Sequence, residues 1–314
     1  MKVLLIRLGS AGDILLCAGA VKALKEQKGA GVHILVKKKF AQAAELTGAD
    51  RVIPFEFKGG ISEIVSLAGA LSAEKYDMIV DMQSNVRSLF LCAVIKCPVK
   101  RRIKKEGVKR RFSLLFKWFL KGGVPVKARY LEAAAVNPPL QEKRRIKKSG
   151  IVVLHAGAMW KNKRWPYMAE LAKKLVKLKK VKRVVITGVK DEVEKGDELL
   201  YIKSKGISLM LGKTDFKRLA GIIKGASLFI GNDTAAAHIA ALYSVPAVVF
   251  LGPTVVSFGF VNKEDFVVLE KDLGCRPCHL HGGKKCPVGH FECMRSISTK
   301  EALKAAEKIL SGVR

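Results

Sequence analysis

Short apolar runs alternate with amphipathic stretches from one end of the chain to the other. Apolar runs bounded by Gly or polar residues predict buried strands, and apolar residues at i, i+3 and i+4 predict helices packed on them. On this pattern residues 2–8, 32–36, 51–55 and 76–81 are strands, with helices at about 13–27, 39–47, 61–73 and 85–96. A second series has strands at 151–155, 183–187, 207–211, 228–231 and 247–251, with helices at about 166–179, 190–204, 215–224 and 234–243. Such alternation predicts α/β architecture with parallel sheets. Asn137-Pro138-Pro139 and the charge-rich residues that follow separate the two series. The expectation is therefore a doubly wound domain over residues 1–140, a linker at 141–150, and a second domain over 151–314 that ends in a helix near 299–310. Two such halves hold ligands in a cleft outside the carboxyl ends of their strands.

Composition adds one unusual fact. The 314 residues include 58 Lys+Arg against 27 Asp+Glu, a formal charge of +31. That excess points to an anionic partner: nucleic acid, a phosphorylated substrate or an acidic membrane surface. Apolar residues at 49% supply a packed core and exclude a disordered chain. Residues 1–6 begin like an export signal, but Arg7 and Asp13 interrupt the apolar stretch, so an export signal is rejected. The longest uncharged stretch, 234–262, contains His238, Pro246 and Pro253 and makes a poor membrane span. The expectation is a cytoplasmic protein, soluble or peripherally bound.

Residues 98–129 carry twelve Lys/Arg against the single acid Glu106. Arg101, Arg102, Lys104, Lys105, Lys109, Arg110 and Arg111 precede an apolar-aromatic stretch over 112–121 that includes Trp118. This reads as a basic amphipathic helix facing an anionic acceptor or membrane surface. An ordinary core helix with a solvated basic edge fits the pattern equally.

Three loops could carry chemistry. Gly9-Ser10-Ala11-Gly12-Asp13 follows the first strand without G-x-G-x-x-G spacing, and no Walker A sequence occurs. Small residues there allow close approach to the backbone, and Asp13 is a candidate general base or simply a helix N-cap. Lys161 and Lys163 lie in a cationic loop before Pro166, suited to a diphosphate. Gly231-Asn232-Asp233-Thr234-Ala235 ends a strand and starts a helix whose free N–H groups recruit phosphate, with the Thr234 hydroxyl as an added donor. His238 lies one turn after Thr234 on the same face. A capped helix with a satisfied buried His is the plainer reading. Cys275-x2-Cys278-x7-Cys286-x6-Cys293 supplies four thiols, enough for a tetrahedral structural zinc site, with His279, His281 and His290 as substitutes. A disulfide pair or buried thiols are the alternatives.

Together, Arg7-Leu8-Gly9-Ser10-Ala11-Gly12-Asp13-Ile14, Lys163-Arg164-Trp165-Pro166 and Asn232-Asp233-Thr234 with His238 resemble glycosyltransferase family 9, the ADP-heptose:lipopolysaccharide heptosyltransferases. Gly252-Pro253-Thr254 and Cys293-Met294 fit the same pattern. The resemblance implies a GT-B fold of two facing Rossmann-like domains. It implies an inverting transfer of heptose from ADP-heptose to the phosphorylated inner core of lipopolysaccharide, with no cofactor or catalytic metal, at the inner face of the cytoplasmic membrane. By the same resemblance Asp13 is the general base and Lys163 meets the donor diphosphate. Asp233, Thr234 and the backbone at Ala235 form the donor-binding helix start, and Asp191 or Glu192 approaches the adenosine ribose. Two positions depart from the pattern: Ala235 stands where many members have Gly, and His155 where Pro is common. The rival readings are a member using another nucleotide sugar, an inactive member, or a basic nucleic-acid-binding protein; no nucleic-acid module appears, which argues against the last.

Overall fold

The computed structural model describes residues 1–57, 60–116, 123–139, 147–193 and 197–312. They divide into two units, Met1–Glu106 with Val124–Gln141, and Gly107–Gly123 with Glu142–Arg314. The sheet of the first unit grows from β1 (Lys2–Ile6), whose Val3, Leu4, Leu5 and Ile6 are wholly buried. After it come α1 (Ala11–Leu16), α2 (Ala18–Lys28), β2 (Gly31–Lys37), α3 (Ala41–Glu45) and β3 (Arg51–Phe55). The unit continues through α4 (Ile61–Ala73), β4 (Met78–Asp81), α5 (Val86–Val94) and β5 (Val99–Arg102). All pairings are parallel, in the order β3-β2-β1-β4-β5. Central β1 is apolar from Val3 to Ile6 because both its faces are covered there. Edge strand β3 tolerates Pro54, whose missing N–H costs little where no neighbour needs it.

β5 is absent from the sequence expectation, and the reason is physical. Its four residues Val-Lys-Arg-Arg are all exposed, so no apolar run marks it. A cationic edge strand is also one that resists pairing with another chain. Helix α6 (Gly107–Leu115) belongs to the second unit, whereas α7 (Val126–Ala134) returns to the first and buries Val126, Arg129, Tyr130 and Leu131. The helix expected over 112–121 thus starts earlier, at Gly107. Residues 117–122, Trp118 among them, lie outside the described residues, as do the side chain of Lys109 and residues 141–146 of the expected linker.

The second unit repeats the scheme with β6 (Ile151–His155), α8 (Met168–Leu175), β7 (Arg183–Thr187), β8 (Ile207–Leu209), α9 (Phe216–Gly225), β9 (Leu228–Asn232) and α10 (Ala235–Leu242). β10 (Ala247–Phe250), β11 (Val267–Leu269), α11 (Glu292–Arg295) and α12 (Thr299–Ser311) complete it. The parallel sheet runs β11-β10-β9-β6-β7-β8. α12 packs beside α8, and its Ala302 and Ala306 share one core with Leu154, Trp165, Ile186, Ile230 and Phe250. One expected helix does not form. Over 190–204 the described residues make two 3-10 turns, Lys190–Glu192 and Glu198–Leu200. The Asp197 carboxylate accepts from the Leu199 N–H at 2.8 Å and starts the second turn afresh, which ends continuity.

The registers align polar residues at the carboxyl ends of the strands. Ile6 pairs with Asp81 in the first sheet. In the second, His155 pairs with Thr187 and Gly231, and Phe250 with Asn232. The central strand bears the packing load, so Leu4→Ala, at a fully buried position, is expected to lower unfolding free energy by about 2–5 kcal/mol. Val99→Ala on the exposed edge should change it by less than about 0.5 kcal/mol. Urea melts of the two variants measure the contrast.

Candidate functional site

In the first unit, β1 ends at Ile6 and delivers Arg7 and Asp13 to the carboxyl edge. Helix α1 opens at Ala11 with Ser10 as its N-cap, so Asp13 is a first-turn residue and not the N-cap. Three contacts fall on one oxygen of Asp13. Its Oδ2 lies 2.5 Å from Nη2 of Arg7 and accepts from the Ser10 hydroxyl at 3.0 Å and the Ser10 N–H at 3.5 Å. Oδ1 has no hydrogen bond among the described residues. Arg7 is itself held, since Nη1 donates to the Met82 carbonyl at 2.9 Å. Neither side chain is more than 14% exposed, so the pair is shielded enough for its charges to matter. Beneath it, Cys17 donates to the Asp13 carbonyl, and burial pushes its thiol up to about 12. Gly9 serves packing: a Cβ there would stand 2.8 Å from the Phe40 ring.

In the second unit, three segments meet at Asn232, which is fully buried. Its amide donates to the carbonyls of Ala156 at 2.9 Å and Gly157 at 3.3 Å, and its Oδ1 accepts from the Trp165 N–H at 3.0 Å. Trp165 is stacked on Phe250 at 4.1 Å, and its indole N–H donates to the Ile297 carbonyl. That fixes the loop carrying Lys163. The Lys163 ammonium contacts the Asp233 carboxylate at 2.5 Å and donates to the Asp233 carbonyl at 3.1 Å. Burial alone would raise the Asp233 carboxyl, yet Lys163, with His238 and the Thr254 hydroxyl, holds it below the ordinary range.

Thr234 is the N-cap of α10, and its hydroxyl is buried with no hydrogen-bond partner among the described residues. A hydroxyl in that state favours an acceptor brought by a ligand. Ala235 and the following N–H groups form the positive end of α10. His238 is buried further along, edge-on to Phe266. On the other side, His155 Nδ1 lies 3.0 Å from the Thr187 hydroxyl, and burial pushes the imidazole down to about 4. Glu192 lies against Gly157, whose Cβ would meet its Oε2 at 2.5 Å; burial raises this carboxyl and Arg164 opposes the rise. Asp191 is exposed.

The remaining predicted residues disperse. Arg101 donates to the Ala133 and Glu132 carbonyls at the end of α7, Lys104 pairs with Glu132 at 3.2 Å, and Lys105 donates to the Ser84 carbonyl. Arg102 is exposed at the end of β5. Arg110 lies over the Phe260 ring in the second unit, and Arg111 is exposed. The four clustered cysteines are free thiols. Among the described residues no three His, Cys, Asp or Glu side chains already form a metal-holding group, although Cys275, Cys278 and Cys286 lie close enough to Cys293 to raise its thiol pKa. Cys293 is buried beside Gly252, and the Cys278 sulfur is 3.3 Å from Nδ1 of His279. Sequence reasoning leaves Arg7 and Thr254 without roles. The available signal for Arg7 is a cation set inside the apolar run at the end of β1.

The model of glycosyltransferase family 9 (heptosyltransferase) matches residues 100–287, more than half of the chain. The chain belongs to that family. It is 26% identical over 247 residues to lipooligosaccharide heptosyltransferase 2 of Campylobacter jejuni, covering 75% of this chain and 76% of that protein. To lipopolysaccharide heptosyltransferase 1 of Pseudomonas aeruginosa it is 25% identical over 309 residues, covering 88% and 86%. The solved ADP-heptose lipopolysaccharide heptosyltransferase II of E. coli superposes with a TM-score of 0.75 over 99% of both chains at 17% identity, a likeness of fold. The family's GT-B fold is the architecture described above, and the chain is a glycosyltransferase.

As a family 9 member with His155 at its strand end, this protein acquires a pH dependence of its own. The neutral imidazole is favoured in the folded state, so its contribution is complete above the unfolded value of about 6.5 and is lost as pH falls toward about 4. The loss is on the order of 3 kcal/mol. Melting temperatures between pH 7 and 4.5 should fall less steeply for His155→Asn than for the unaltered chain. Parallel slopes would remove His155 as the cause.

Proposed function

We propose that the chain is an inverting heptosyltransferase that moves heptose from ADP-heptose to the inner core of lipopolysaccharide or lipooligosaccharide, without a catalytic metal. Support comes from family membership and from relatives named as heptosyltransferases of these glycolipids. The observation that carries the donor side is the buried, unpartnered Thr234 hydroxyl at the start of α10, next to the Lys163 ammonium. A hydroxyl donor, a helix N-terminus and a cation converge where a diphosphate would sit, and they stabilise charge that grows on ADP as it leaves.

On the acceptor side Asp13 is the proposed base. Its Oδ2 is taken by Arg7 and Ser10, so Oδ1 is the oxygen left for an acceptor hydroxyl. The acceptor oxygen attacks the anomeric carbon, the bond from that carbon to the phosphate oxygen breaks, and ADP departs with the bonding pair. The hydroxyl proton passes to Oδ1 of Asp13. Attack opposite the leaving group inverts the anomeric centre. Arg7 is a positioning residue in this scheme: it fixes the carboxylate and directs its free edge outward. The +31 charge suits work at the anionic inner face of the cytoplasmic membrane on a phosphorylated acceptor.

The first test is a thermal-shift comparison of ADP, UDP, GDP and a short DNA duplex at ~0.15 M salt, where surface electrostatics are largely screened. ADP alone should raise the melting temperature. A shift with UDP or GDP instead would replace the donor, and a shift with DNA alone would end the transferase mechanism proposed here. In an assay with ADP-heptose and truncated core, Asp13→Asn should lower turnover by about 10²–10⁴-fold while the ADP shift stays unchanged. Lys163→Ala should weaken the ADP shift itself.

A further inference from the structure

One guanidinium of the first unit is buried with much of its hydrogen-bonding capacity unused. Arg129, on α7, is 6% exposed, and its Nε and Nη2 have no hydrogen-bond partner among the described residues. Its nearest carboxylate, Glu106, stands 3.7 Å from Nη1, too far for a hydrogen bond. A guanidinium removed from water with two donors unused is costly in an empty site. Burial pulls its pKa down, with Glu106 and Asp13 acting in the opposite direction.

The same side chain lines a pocket of about 290 Å³ together with Lys100, Arg101, Arg102, Lys104 and Glu132. Five cations therefore face one carboxylate, and that carboxylate is already paired with Lys104 at 3.2 Å. Arg101 is used structurally, holding the carbonyls at the end of α7. The Arg102 guanidinium makes no hydrogen bond or ion pair among the described residues. The walls thus offer unused, cationic, multidentate donors. The volume is at the small end of ligand pockets and admits a phosphorylated sugar residue.

We propose that this pocket between β5 and α7 binds a phosphoryl group, with Arg129 as its buried floor and Arg102 and Lys104 at its mouth. Planar guanidinium forks match phosphate oxygens in pairs, which Arg102 can offer at the mouth, while the poorly compensated charge of Arg129 favours an anion above it. The group it takes is a phosphate ester on the acceptor glycan. That source rests on the transferase reading above; the pocket's preference for phosphate does not.

Isothermal titration of the full chain at ~0.15 M salt tests this, with glucose 6-phosphate, inorganic phosphate and uncharged glucose as probes, and ADP present to occupy the nucleotide site. Glucose 6-phosphate should bind, and glucose should not. Arg129→Gln and the surface change Arg102→Ala should each weaken it by about tenfold or more. Arg102→Ala reports on the pocket even if Arg129→Gln unfolds. Binding of glucose as strong as its phosphate, or affinities unchanged in both variants, would overturn the proposal. Inorganic phosphate binding more tightly than the ester would overturn the acceptor as the source. If ADP fails to bind, the donor reading falls, and the phosphate titrations, repeated without ADP, still judge the pocket by its two variants.

Discussion

Much of the second unit depends on the buried amide of Asn232. It ends β9, yet its side chain holds the loop after β6 through two carbonyls and the start of the Trp165 segment through one N–H. With no exposure to water, each of those bonds is enforced, because an amide left unsatisfied there would cost about 1–3 kcal/mol. The consequence reaches the site directly. Lys163 can meet Asp233 only if the chain two residues before Trp165 is fixed, and Asn232 together with the Trp165–Phe250 stack fixes it. A packing contact and a polar network therefore set one geometry between them.

The parallel sheets place this network where it can act. Strands β6, β7 and β9 end in His155, Thr187 and Asn232, so polar side chains gather at one edge while Val, Ile, Leu and Phe fill the interior. The first unit follows the same rule with Arg7 and Asp81 beyond and at the ends of β1 and β4. Asp81 is 1% exposed and accepts from the Gln83 and Ser84 N–H groups and the Ser88 hydroxyl, which anchors the chain entering α5. That carboxylate is fully engaged by its own loop. Asp13 differs, because its partners crowd one oxygen and leave the other.

The strands of the core were legible in the sequence because a buried parallel strand is an apolar run, and nearly all such runs in this chain became strands. What escaped was whatever lacks that signature. β5 is a cationic edge, β11 is short, and α7 buries an arginine among its apolar residues, so its periodicity is blurred. The helix expected over 190–204 had enough apolar residues but too many acids, and Asp197 caps a new turn in place of continuing an old one. Lys163, Asp233 and Thr234 could be placed at one loop cluster from motifs alone. Their ion pair and the orphaned Thr234 hydroxyl could not, since both depend on how separate strands pack. The cysteine spacing brings four thiols into one neighbourhood, but spacing measures distance along the chain and does not say how each thiol is oriented.

The two ion pairs at the strand ends illustrate how similar chemistry is put to different ends. Arg7–Asp13 and Lys163–Asp233 are both short and shielded from water. A buried pair is weak support for stability, since desolvation consumes most of its attraction. What each pair does is limit freedom. Arg7 is anchored at Met82 and has one direction to offer, so Asp13 is held like a bracket with one free edge. Lys163 also donates to a backbone carbonyl, and its ammonium is a compact charge with rotatable donors, which suits the phosphate contact proposed for it. In the mechanism proposed above, arginine sits where a carboxylate must be oriented, and lysine where a charge is exchanged between a resident carboxylate and a ligand. Interchanging them would preserve net charge and lose both properties, which is why the identity of each cation matters more here than the chain's large positive total.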